Sequence, residues 1–164
     1  MDFTFQNISI IACTLLTGLS AGLCFTWSNT ITIGIGNLEN YGYLSAFQQM
    51  NRTILNLTFF SVFFGPFFLG LINLYVFKNA SNSLVWALLL ATIIYFFGVV
   101  LVTIFGNVPL NEILDETDLI STSAEDLKTL RNTFEVKWNR LHLIRTISST
   151  SSFLLLLLAL LARK

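Results

Sequence analysis

Apolar residues fill four long runs that no charge interrupts, at 3–38, 53–77, 79–111 and 146–162, of 36, 25, 33 and 17 residues. A helix needs about 20 apolar residues to cross roughly 30 Å of hydrocarbon. The first three runs clear that length. The last falls slightly short, which sets Arg145 at or just inside the interface. Blocks such as 84–90 and 153–161 show no alternation of apolar and polar positions, whereas strands of membrane barrels alternate over about ten residues. The pattern predicts an all-α polytopic membrane protein, a four-transmembrane-helix bundle forming a single domain over 1–164.

The first helix is predicted over 5–28, with Gly18 and Gly22 one turn apart for a close helix contact. Residues 31–43 include Gly34, Gly36, Asn37, Asn40 and Gly42 and read as an extramembrane loop. A second helical stretch covers 44–77, about 50 Å long. Gly65-Pro66 in the middle of its span predicts a kink. The third helix covers 83–105 and is predicted to stop in a turn at Gly106-Asn107-Val108-Pro109-Leu110-Asn111, because proline disfavours helix at the residue before it. Thr122-Ser123-Ala124-Glu125 is a capping signal. No Pro or Gly follows it through Ala162, which gives 41 residues, or about 60 Å of helix. Leu127, Leu130, Phe134, Trp138 and Leu141 recur at helical steps and are expected to pack inward. The bilayer holds only part of the second and last helices. Both are therefore predicted to extend past it on one side, with the termini and the Lys78 loop on the other.

Charge sharpens this picture by its placement. Twelve of the 18 charged residues lie between Glu112 and Arg145, and nine Lys+Arg balance nine Asp+Glu. That balance offers no basic surface for nucleic acid. A composition 54% hydrophobic and 11% charged, against about 25% charge in soluble domains, excludes a soluble fold of this size. Met1-Asp2-Phe3 carries no positive n-region, so the first run reads as a retained helix and not a cleaved signal. Cys13 and Cys24 lie about 16 Å apart along one helix and cannot bridge each other. Orientation is contested. Lys78, Arg163 and Lys164 gather with the termini, while Arg140 and Arg145 flank the opposite side. The reading adopted has cytoplasmic termini beneath an acidic cap.

Glu135, Trp138, His142, Arg145, Ser149 and Ser152 follow steps of 3, 4, 3, 4 and 3 and share one stripe of the last helix. Arg52 and Asn56 on the second helix, and Asn107 and Asn111 at the end of the third, come to the depth of His142 and Arg145. Ionisable residues at a membrane edge are costly and mark a functional site by default. The competing reading has Arg145 and Arg52 reaching for headgroups and His142 as a packing residue. One histidine, no carboxylate cluster in the membrane and two cysteines on another helix give no metal site. The sequence requires no cofactor, and axial ligation of a haem by His142 stays open. No P-loop, Rossmann or G-x-S-x-G fingerprint occurs.

Thr103-Ile104-Phe105-Gly106-Asn107-Val108-Pro109-Leu110-Asn111, followed by Trp138-Asn139-Arg140-Leu141-His142-Leu143-Ile144-Arg145-Thr146, resembles the small four-helix membrane family that includes the fungal anthrone oxygenases. The first helix and Gln49-Met50-Asn51 extend the resemblance over nearly the whole chain. Asn107, Asn111, Trp138 and Arg145 match best, and many relatives carry Asn near the place of His142. The resemblance implies oxygenation of a hydrophobic, electron-rich aromatic, anthrone- or hydroquinone-like, at the membrane interface. His142, with Glu135 as the second candidate, is the implied base. Arg145, Arg52, Asn107 and Asn111 are the implied oxyanion donors, and Trp138 stacks on the substrate. Arg52 and Asn56 complete the expected substrate contacts. The alternatives are a non-enzymatic scaffold or lipid- or quinone-binding subunit, and a haem-binding redox protein. Expected partners are membrane lipid and a hydrophobic small molecule, with oligomerisation left open. The expected location is a bacterial inner membrane.

Overall fold

A computed structural model describes residues 4–162, so the N-terminal triplet and the basic Arg163-Lys164 end lie outside the described residues. Regular structure among the described residues is all helical. Helix α1 (Phe5–Thr26) opens on Thr4, whose hydroxyl accepts from the Asn7 N–H. It continues through a π-helical segment, Trp27–Ile31, into α2 (Thr32–Gly36), making 32 helical residues from Phe5 to Gly36. The loop expected over 31–43 thus shrinks to a corner at 37–39, and α3 (Asn40–Ile54) starts directly after it. Tertiary contact overrides the weak helix propensity of Gly34 and Gly36 here. Arg131 of the last helix donates to the carbonyls of Gly36 and Leu38, each at 2.7 Å, and holds the corner closed.

The single helix expected over 44–77 is two helices. After α3, Leu55 and Asn56 leave helical geometry, and α4 (Leu57–Val76) begins. Asn56 is extended (φ −134°, ψ 165°), and its Oδ1 accepts from the Phe59 N–H at 3.0 Å. An Asn side chain that caps a helix this way satisfies one of the first-turn N–H groups. Asn56→Ala is expected to cost about 1 kcal/mol, read as a lower melting midpoint of the detergent-solubilised protein. Helix α4 continues through the buried Pro66.

The third rod joins α5 (Asn82–Tyr95), π-helical segments Phe96–Leu101 and Thr103–Asn107, and α6 (Val108–Glu116) into 35 helical residues from Asn82 to Glu116. The turn expected at 106–111 is therefore helical. Val108 is right-handed helical (φ −59°, ψ −48°) in spite of the proline that follows it. Pro109 stands in the first turn of α6, where its missing N–H costs little. The wide π-helical turn ahead of it relaxes the register that an α-helix would impose.

Helix α7 (Ala124–Ala162) has 39 residues. Its cap is Ser123, one residue after the expected Thr122. The Ser123 hydroxyl accepts from the Asp126 N–H at 3.2 Å and donates to Asp126 Oδ2 at 2.7 Å. Leu127, Phe134 and Trp138 are buried and Leu130 and Leu141 half-buried, as their spacing predicts.

Helix α1 packs on α4 and α7, and α5 packs on the same two, closing a four-membered ring. One apolar cluster gathers Ile10, Phe77, Leu84 and Leu156 at the end of the ring where α1 begins and α7 finishes. Another gathers Trp27, Phe47, Leu114, Phe134 and Trp138 at the opposite end, where α2, α3, α6 and the first half of α7 form a cap. The extensions thus share one side, as expected. Gly18 meets the Phe153 ring, with a Cβ there 2.8 Å from it, whereas Gly22 faces open space. Leu15, Phe68, Phe97, Ile147 and Leu158 are exposed, while Thr17, Ser20, Asn73, Ser149 and Ser152 are buried. Apolar outside and small polar inside is the arrangement of helices that associate in lipid. Four helical rods are long and apolar enough to cross a membrane, and the chain is an integral membrane protein of the four-helix-bundle type.

Candidate functional site

Where ring and cap meet, a cavity of about 300 Å³ opens between α1, α3, α6 and α7. Its lining includes Cys24, Trp27, Asn51, Arg52, Asn111, Trp138, His142 and Arg145, with Leu23, Leu55, Phe59 and Val108 on the apolar wall. The 3–4 stripe of α7 explains the inward set of His142 and Arg145. Both are buried, at 3% and 8% exposure, so Arg145 does not reach for headgroups.

His142 Nε2 lies 3.0 Å from the Cys24 carbonyl. A carbonyl only accepts, so Nε2 carries the hydrogen, and in the neutral ring Nδ1 holds the lone pair. Nδ1 has no partner. Trp138 stacks on the imidazole, with ring centroids 4.7 Å apart and planes inclined by 15°, and fixes its orientation. The Trp138 face is thus taken by His142. Its indole N–H donates to Asn111 Oδ1 at 2.9 Å. Asn107, also buried, donates to the Trp138 carbonyl at 3.4 Å. Four residues apart on one helical face, the two asparagines clamp Trp138 rather than Arg145.

The Arg145 guanidinium reaches the Cys24 side chain and has Tyr95 as its next electrostatic neighbour. Among the described residues no carboxylate pairs with it, and its Nε–H is unpartnered. Trp27 Nε1 and Asn51 Nδ2, on two more cavity-lining residues, are unpartnered as well. Buried polar groups are nearly always hydrogen-bonded. Four unsatisfied nitrogens around one cavity therefore point to a ligand that brings acceptors.

Arg52 is exposed at the rim, where its Nε donates to Asp115 Oδ1 at 2.6 Å and links α3 to α6. Glu112 and Glu116 also face the cavity, giving it an acidic edge. Of the residues singled out in the sequence, the structure brings Arg145, His142, Asn111, Trp138 and Arg52 to one cavity. Asn107 stands behind Trp138, and Asn56 caps α4; neither lines it. Glu135 pairs with Arg131 at 2.9 Å, also outside the lining. Cys24, Trp27 and Asn51 escaped the sequence reading. A signal existed for the first two: Thr17, Ser20, Cys24 and Trp27 follow steps of 3, 4 and 3, and all four are buried. Among the described residues no three His, Cys, Asp or Glu side chains gather as a metal site would need.

These features define a four-span membrane protein with a polar cavity under a helical cap. Over residues 57–155 the sequence matches the family described as anthrone oxygenase, and the chain belongs to that family. Membership gives it a function that is broadly of oxygenase type. No curated protein and no solved structure matches it. The matched stretch contains the cavity residues of α6 and α7, while those of α1 and α3 lie outside it.

Proposed function

We propose that the cavity binds an anthrone-like aromatic, flat and hydrophobic, and passes it to dioxygen. The observation that carries this reading is the meeting of an oriented, unprotonated His142 Nδ1 with an Arg145 that has no carboxylate partner. An anthrone has an acidic methylene beside a ketone conjugated through two rings. His142 Nδ1 accepts the methylene proton, and the resulting anion places its charge on the ketone oxygen. Arg145, Asn51 and the Trp27 indole N–H supply donors to that oxyanion, and fixed donors aimed at developing charge are the largest single contributor in many enzymes. The carbanion then gives its electron pair to dioxygen. A carbon–oxygen bond forms, and the peroxide loses water to leave a second ketone, so one dioxygen is consumed and one water released per anthrone. A base near neutrality does this best, and the hydrogen bond to Cys24 keeps the required tautomer. The apolar wall of Leu23, Leu55 and Phe59 suits a substrate arriving from lipid.

The haem reading has weaker support in the geometry. The Cys24 carbonyl occupies Nε2, and Nδ1, next to the side-chain stem, is the more hindered nitrogen for a porphyrin iron. In the scaffold reading the cavity's unpartnered nitrogens have no purpose.

The test is oxygen uptake by the detergent-purified protein supplied with an anthrone. The expected result is one oxygen consumed per quinone formed, at a rate well above that of the buffer. A rate equal to the buffer's rules the oxygenase reading out, and a Soret band in the purified protein would replace it with the haem reading.

A further inference from the structure

We infer that Cys24 is a covalent modification site within the cavity, open to flat apolar electrophiles of the quinone class that keep an unsubstituted ring edge. The inference rests on the proposed reading only in requiring that the cavity admit a flat ring, and it needs none of the oxygen chemistry.

The chain has two cysteines, both free and both buried, Cys13 at 1% exposure and Cys24 at 2%. Their surroundings differ. The Cys13 thiol donates to the Pro66 carbonyl at 3.6 Å, and the gap beside it does not admit a water. Cys24 lines the 300 Å³ cavity, and its side-chain neighbours are Arg145 and Ser149. Arg145 and His142 are each more than nine-tenths buried at that cavity and each keeps an unpartnered nitrogen. A ligand with acceptor oxygens that satisfies those nitrogens is therefore held against the Cys24 sulfur.

The chemistry follows from that placement. The sulfur adds to a ring carbon of a 1,4-quinone. A carbon–sulfur bond forms, the ring double bond opens, and its electron pair moves onto the conjugated carbonyl oxygen. The thiol proton ends on that oxygen, and the hydrogen of the attacked carbon shifts to the other oxygen. The product is a hydroquinone thioether whose mass is the sum of the two reactants, with no outside oxidant or reductant. Arg145 faces negative charge at both ends of the step, first on the sulfur and then on the quinone oxygen. A cation beside a thiol is the usual setting of a reactive cysteine. A quinone fused on both edges, as an anthraquinone is, has no such ring carbon to attack. The thiol thus spares a doubly fused product and traps an open-edged one, so a hydroquinone oxidised in this cavity would inactivate the protein.

The test uses the full-length protein in detergent with 1,4-naphthoquinone as the probe, read by intact mass and peptide mapping. A single adduct on Cys24 is expected, forming at least about tenfold faster than any adduct on Cys13. Cys13→Ser should label as the parent does, Cys24→Ser should stay unlabelled, and anthraquinone should leave no adduct. Equal labelling of both cysteines, or no adduct on Cys24 in protein that melts as the parent does, would overturn the inference. An anthrone that draws no oxygen while Cys24 is labelled sinks the proposed function and leaves this site standing; the reverse pair of results does the opposite.

Discussion

Alanine in place of Arg145 is expected to lower anthrone turnover by at least about 100- to 1,000-fold, the loss of about 2.7–4 kcal/mol that follows removal of one oxyanion donor. Arg145 is the only charged group buried at the cavity; the carboxylates and Arg52 stand at its exposed rim. Its guanidinium stays cationic and presents several fixed donors, and none of the described carboxylates competes for them. His142→Asn should lose less. The amide still offers an N–H for the Cys24 carbonyl, and what disappears is the base. An anthrone acidic enough to ionise in water partly replaces that function. Removing a buried Arg also leaves its neighbours unpaired, so both variants must elute and melt as the parent does before their rates are compared. A well-folded Arg145→Ala protein with parental turnover would remove this residue from the mechanism.

Trp138→Ala should lower stability by about 3–5 kcal/mol, the usual range for a buried Trp or Phe cut back to alanine. Trp138 is 4% exposed. It packs edge-on against Phe47 with centroids 4.8 Å apart, lies 5.7 Å from Trp27, and stacks on His142. It sits in the cap, where apolar burial removes surface from water and the hydrophobic effect applies in full. The truncation also strips the donor from Asn111 Oδ1 and frees the imidazole to turn. Trp138→Phe separates these effects, since it keeps a ring on His142 and loses only the N–H. The melting midpoints of the three proteins should rank parent, Phe, Ala. A Trp138→Ala protein that melts with the parent would show that the aromatic cluster does not hold the cap.

Much of this architecture was legible because charge is sparse. Six of the 18 charged residues lie outside 112–145, so each uncharged run reads as a span. The stripe on α7 was legible too, since a helix without Gly or Pro keeps its period and Trp138, His142 and Arg145 must share a face. Legibility failed at three places where local composition and tertiary contact disagree. Gly34, Gly36 and Asn37 argue for a loop, and Arg131, 94 residues beyond Asn37, holds most of that stretch in helix. Leu55 and Asn56 carry no breaker stronger than a capping side chain, yet the chain turns there. Pro109 argues for a stop, and a widened helical turn carries the rod through it. The loop expected at 31–43 drew attention away from Trp27 beside it, and a search confined to ionisable groups passed over Asn51 and Cys24.

Three wide helical turns, at 27–31, 96–101 and 103–107, stand on the rods that lead to the cavity. A π-helical turn holds an extra residue, and such turns occur often at functional sites. The cavity is therefore set by how many residues these turns contain as much as by which residues they are. Deleting one residue from 103–107 would let the rod relax into a plain α-helix and swing everything beyond it by about 100°. Asn111 would leave Trp138, and Asp115 would leave Arg52, although no side chain at the site had changed. Gains and losses of single residues should be absorbed in the corners at 77–81 and 117–123, and should be ruinous inside the wide turns.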